Sequence, residues 1–183
     1  MSDVQHERAI ALWPLPLLAG LLPAVAALVA FALAVNAGLT PACNPFIDGC
    51  ISISRAARHD LPNHVFRALV LPAAVLQALT WLAAAQALLA LGGGATLRRS
   101  AWALGLIGVA AGIALVLYGS FLGTEGNVYR WLRRYGTVVY FGGTCLAMLL
   151  LGRALQGLHA AQHLHLPLRY ERVLLALFTL IVA

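Results

Sequence analysis

Two polar stretches and one histidine cluster hold the residues of this 183-residue chain whose types and spacing could do chemistry. The first stretch runs from Cys43 to His64 and contains Asp48, Arg55, Arg58, His59, Asp60 and His64, with Arg67 one helical turn beyond His64. The second runs from Thr124 to Tyr135 and contains Glu125, Arg130, Arg133 and Arg134. Guanidinium groups offer the forked donors that phosphate accepts in pairs. Asp48, Arg55, His59, His64, Arg67, Glu125, Arg130 and Arg133 are therefore the candidate residues for an anionic headgroup. Read without a ligand, the same residues make a solvated loop with arginine anchors, and Tyr129, Trp131 and Tyr135 are ordinary interfacial aromatics.

His159, His163 and His165 form the third group. His159 and His163 stand four apart and would share a helical face, the spacing that binds zinc or iron, but the nearest carboxylate is Glu171. A metal or haem enzyme built on His159 and His163 is the alternative reading; the leading expectation has no cofactor. Ser52, Ser54 and Ser120 lack any hydrolase signature around them, and Gly92, Gly93 and Gly94 precede Arg98 and Arg99 without the Lys of a phosphate loop. All 12 basic residues are Arg, so these residues offer no Lys amine for a retinal or pyridoxal Schiff base.

The composition dictates what must position these groups. Hydrophobic residues make up 62% of the chain and charged residues 10%, against about 25% charged in soluble domains. A membrane-spanning helix needs about 20 predominantly apolar residues. Such runs lie near 13–39, 65–91, 101–122 and 135–155, and a shorter one spans 173–183. The expected fold is all-α, a single polytopic transmembrane domain over 1–183 with five helices. The last is cut short, and the natural protein is expected to continue to six. Pro14, Pro16 and Pro23 break up the first run, and its length also differs from that of a cleavable signal peptide. The net charge of +6 is dispersed in short Arg clusters that flank apolar runs, which argues for lipid headgroups and against nucleic acid.

Orientation from loop charge is a tie of six against six: Arg8, Arg98, Arg99, Arg153, Arg169 and Arg172 face Arg55, Arg58, Arg67, Arg130, Arg133 and Arg134. Arg67 falls inside a span, and Cys43 and Cys50 could pair in an oxidising compartment or remain free thiols. Both considerations favour a cytoplasmic N-terminus. The Arg-rich, Lys-free composition points to a bacterial inner membrane. Ile51–Arg58 alternates apolar and polar residues as a short interfacial helix would.

Glycines add a packing expectation. Gly105, Gly108, Gly112, Gly119 and Gly123 lie mostly along one stripe of the third long helix, and Gly136, Gly143 and Ala147 along one of the fourth. The first stripe is expected to pack closely on a neighbouring helix, and the third and fourth long helices to be partners across their short connection. Docking of a protein partner or of a second copy through them is the other use such stripes serve, and makes a small structural subunit of a larger complex a third reading.

The motif Pro45-Phe46-Ile47-Asp48-Gly49, followed by Pro62 and Phe66, resembles the first lumenal loop of the DRAM/Sfk/Frag family of six-helix membrane proteins. The run from Tyr135-Gly136 to Phe141-Gly142 is similar to the corresponding region there, although Arg133 stands where the family tends to have His. The resemblance implies a cytosolic N-terminus, a six-helix bundle and a role in lipid handling or membrane organisation. The expectation is thus an integral membrane protein that binds lipid or a protein partner through its extracytoplasmic loops and is not itself an enzyme.

Overall fold

The computed structural model describes residues 12–160 except Phe46 and Gly93, with side chains through Leu158. The described residues are all-helical outside turns and loops: α1 (Pro14–Asn36), α2 (Ile53–Ala56), α3 (Asp60–Ala90), α4 (Ala95–Ser120) and α5 (Asn127–Ala160). Among them, the four long helices are long and apolar enough to cross a membrane. The run at 173–183, together with His163, His165 and the side chain of His159, lies outside this description.

Three of these helices exceed the apolar runs that announce them. α3 starts at Asp60 in place of 65, α4 at Ala95 in place of 101, and α5 spans Asn127–Ala160 in place of 135–155. Apolarity marks only what lies in hydrocarbon, whereas a helix continues wherever its backbone amides can pair. At 1.5 Å per residue, the 31 residues of α3 reach about 46 Å, well past a hydrocarbon core of about 30 Å. Polar end turns therefore carry His64, Arg98, Arg99, Arg130, Arg133 and Arg134 on helices.

The long helices pack in chain order, α1 on α3, α3 on α4 and α4 on α5. Without a hydrophobic force between helices in lipid, close backbone approach does the work, and small residues permit it. α1 buries Ala19, Ala26, Ala30 and Ala34, one helical stripe, and leaves Leu17, Leu21, Val25 and Leu28 exposed. The glycines of α4 face a neighbouring helix, α3. A Cβ on Gly108 would overlap the Trp81 side chain, one on Gly112 would stand 3.0 Å from the Ala78 methyl, and one on Gly105 would touch Ala85. α5 does pack on α4, but through its own stripe: Gly136 lies against the Ala114 carbonyl and Gly143 against the Ala111 methyl. A partner docking on these glycines would have to displace a helix of the same chain.

Two apolar clusters result. One, toward the loop end, joins Ala26, Ala30, Phe66, Val70, Leu115 and Leu122; the other, toward the opposite end, joins Trp81, Ala85, Leu88, Leu104, Ala147 and Leu158. Gln77, buried on α3, donates to the Thr144 hydroxyl of α5 at 2.8 Å and ties two helices that otherwise barely meet.

Candidate functional site

The end of the bundle that carries the 37–59 loop also carries the short turn 121–126 between α4 and α5, since chain direction reverses with each span. α1 stops there because Gly38 takes a φ of +68°, letting the Gly38 and Leu39 amides donate back to Val35 and Ala34. The loop then closes on itself through a Cys43–Cys50 disulfide, with Cα atoms 6.6 Å apart. Inside that ring Asp48 accepts a 2.8 Å bond from the Asn44 amide. α2 follows, a single turn whose Ala56 and whose succeeding residue Ala57 are fully covered.

Asn63 joins the two loops. It is 8% exposed, and its amide nitrogen donates to the carbonyls of Ala57 and Leu122, each at 3.0 Å. One side-chain NH₂ thus satisfies a carbonyl from each loop, both of which would otherwise lie unpaired in a buried setting. Gly123 permits the approach: its φ of +90° excludes most side chains, and a Cβ there would stand 2.5 Å from the Arg58 carbonyl oxygen. Arg133 reaches back from the first turns of α5 and donates to the carbonyls of Phe121 and Thr124, pinning the same turn from its other side. Phe121 also packs against Tyr129, with centroids 5.1 Å apart.

Beneath this seam sits a polar nest. The phenol of Tyr118 on α4 lies near Ser54 and in the field of Arg133 and Arg58. Arg58 is half-buried, and its Nε, shielded from solvent, has no hydrogen-bond partner. A covered guanidinium N–H left unpaired is costly unless an acceptor reaches it.

The candidate residues fall into different classes once placed. Arg133 is a clamp on backbone carbonyls, and Asp48 closes a local turn. His64 is exposed with its Nδ1 2.8 Å from the Asp60 carbonyl, in a first turn where Asp60 itself has a φ of +50°. Arg55, His59, Glu125 and Arg130 are exposed around the same end, while Arg67 is half-buried on α3. Arg58 and Ser54 are noted in the loop by residue type but are not among the eight candidates, and Asn63 and Tyr118 are not singled out at all. Asn63 and Tyr118 lie on helices bordering the loops, so only tertiary packing brings them to the site. Among the described residues, no three His, Cys, Asp or Glu side chains gather where they could hold a metal ion.

No protein-family model, curated protein or solved structure matches this chain.

Proposed function

We propose that the chain is an integral membrane protein that holds an anionic lipid headgroup at its loop end and serves lipid handling or membrane organisation. The observation that carries this reading is Arg58, whose Nε is covered and without a hydrogen-bond partner and whose charge acts on the nearby Tyr118. A phosphate oxygen is the acceptor that such a guanidinium fits best. Exposed Arg55, Arg130 and His59 supply a basic rim, and half-buried Arg67 adds a charge on α3 at the edge of the span.

The loop end is placed outside the cytoplasm, and a bacterial inner membrane is the proposed location. The Cys43–Cys50 bond supports that side, because disulfides persist in oxidising compartments. Kinship with the DRAM/Sfk/Frag family is part of the same proposal and rests on the motif at residues 45–49.

The test is native mass spectrometry of the full chain, extracted in mild detergent after equilibration with phosphatidylglycerol or phosphatidylcholine vesicles, with metal analysis of the same sample. Retained phosphatidylglycerol is expected, and Arg58→Gln should lower it about tenfold, the loss of one charge-assisted hydrogen bond. Arg67→Ala should weaken it less. Equal retention of the two lipids, or retention unchanged in Arg58→Gln, overturns the reading. Stoichiometric metal that disappears in the His159→Ala/His163→Ala variant would replace it with a metalloenzyme.

A further inference from the structure

Exposed aromatic and basic side chains gather at two levels of the bundle, and the contacts between helices fix how those levels line up. α3 and α4 run antiparallel in a steady register: Gly119 lies against Val70 and Leu71, Gly112 against Ala78, Gly108 against Trp81 and Gly105 against Ala85. On the other side of α4, Gly136 of α5 lies against Ala114 and Tyr118, and Gly143 against Ala111 and Ile107. Carried toward the loop end, these registers set Phe121 of α4 level with Trp131 of α5 and with Ala68 of α3, to within about one helical turn. The ring contact of Phe121 with Tyr129 agrees.

Arg67 can be placed by two routes. Through α4 it comes level with Arg130. The Gln77–Thr144 bond joins α3 to α5 directly, and followed back toward the loop end it brings Arg67 level with Arg134. Trp131 stands between those two arginines, and it and Tyr135 are exposed with their rings 4.3 Å apart. At the opposite end, the same registers set Trp102 level with Leu150 and Arg99 with Arg153; Trp13 stands on this side too, at the start of α1. Trp102 and Trp13 are exposed, as are Arg99 and Arg153.

Between the two levels, residues 14–36 of α1, 68–90 of α3, 100–120 of α4 and 135–152 of α5 contain no charged side chain. At 1.5 Å per residue, the step along α5 from Arg134 to Arg153 is about 28 Å, close to the 30 Å or so of a hydrocarbon core. Tryptophan and tyrosine collect where hydrocarbon meets headgroups, and arginine side chains at that depth extend outward to the phosphates.

We propose that the hydrocarbon of one leaflet ends at the level of Trp131 and Ala68, where Arg67, Arg130 and Arg134 present their guanidinium groups to the phosphate layer, and that the other leaflet ends at Trp102. Arg67 is then an interfacial anchor and not a charge held inside the membrane. The Arg58 carbonyl, which lies against Gly123 just past Phe121, falls outside this boundary among the headgroups. The placement goes beyond the headgroup reading and stands without it, since every phospholipid supplies a phosphate.

The test is electron paramagnetic resonance of the full-length protein in phosphatidylcholine vesicles, with depth read from the relative access of oxygen and a nickel chelate to a nitroxide label. Labels go on Ala68→Cys, Val75→Cys, Val128→Cys, Val138→Cys and Leu149→Cys, all exposed positions, each in a Cys145→Ser background with the native disulfide kept oxidised. Val75 is expected about 10 Å deeper than Ala68, and Val138 about 10 Å inside the boundary, while Val128 reads as aqueous and Leu149 as close to the opposite boundary. A label at Ala68 as deep as one at Val75 overturns the placement and makes Arg67 an intramembrane charge. A label at Leu149 as deep as one at Val138 overturns it as well, because the hydrocarbon would then reach past Arg153. The same profile is expected in phosphatidylglycerol vesicles and in Arg58→Gln, so failure of the headgroup reading leaves it standing. A displaced profile alongside Arg58-dependent lipid retention removes the placement alone.

Discussion

Inside the bundle, α3 and α4 are held together by missing volume: Trp81 occupies the space over Gly108, and Ala78 sits against Gly112. At the loop end the connections are made by polar groups on backbone: Asn63 of α3 bonds the carbonyls of Ala57 and Leu122, and Arg133 of α5 bonds those of Phe121 and Thr124. The two regions solve different problems. In hydrocarbon the backbone is already paired within each helix, so association depends on how closely the helices approach. Where a helix ends, carbonyls lose their partners, and side chains must supply them.

That contrast can be broken most severely at Gly108. Gly108→Leu would force its side chain into Trp81, and overpacking of this kind costs about 3 kcal/mol; thermal unfolding in detergent should show a large loss of stability across the whole bundle. Asn63→Leu should cost somewhat less, about 2 kcal/mol from buried carbonyls left unpaired, and its damage should be local. Limited proteolysis would then cut the 37–59 loop or the 121–126 turn while the span region stays protected; cleavage inside α3 or α4 at the same rate would show that the two regions are not separable. The smallest effect is expected at Gln77→Leu. This is a single hydrogen bond to Thr144 in an apolar setting, where such bonds average about 0.6 kcal/mol. A loss near that of Asn63→Leu would mean that polar bonding matters as much inside the bundle as at its end.

Several features were legible in the residues themselves. The long apolar runs announce the spans, and the glycine stripes announce close helix packing, because both are properties of a single helix. The direction in which a stripe faces is not. Gly105, Gly108 and Gly112 oppose α3 because Trp81, Ala78 and Ala85 offer complementary shapes there, and such a match between two helices has no signature on either alone. The Ala19, Ala26, Ala30 and Ala34 stripe was available as a periodic signal, yet in so alanine-rich a segment it does not stand out from the lipid-facing positions.

The candidate site divides along the same line. Residue types at 43–64 and 124–135 locate a basic, loop-borne end of the molecule, because charges are costly within hydrocarbon and collect mostly where spans stop. Which arginine is already engaged is decided by tertiary contact. Arg133 is taken up by the carbonyls of the α4–α5 turn, whereas the Nε of Arg58 stays covered and unpaired next to Tyr118. Sequence by itself determined the solvent this protein needs and the end at which its polar chemistry gathers, through hydropathy and charge that each segment carries alone. Only the folded chain decided which polar groups are spent on holding loops together and which are left without a partner, since that depends on which carbonyls the approach of Gly123 to Arg58 brings within reach.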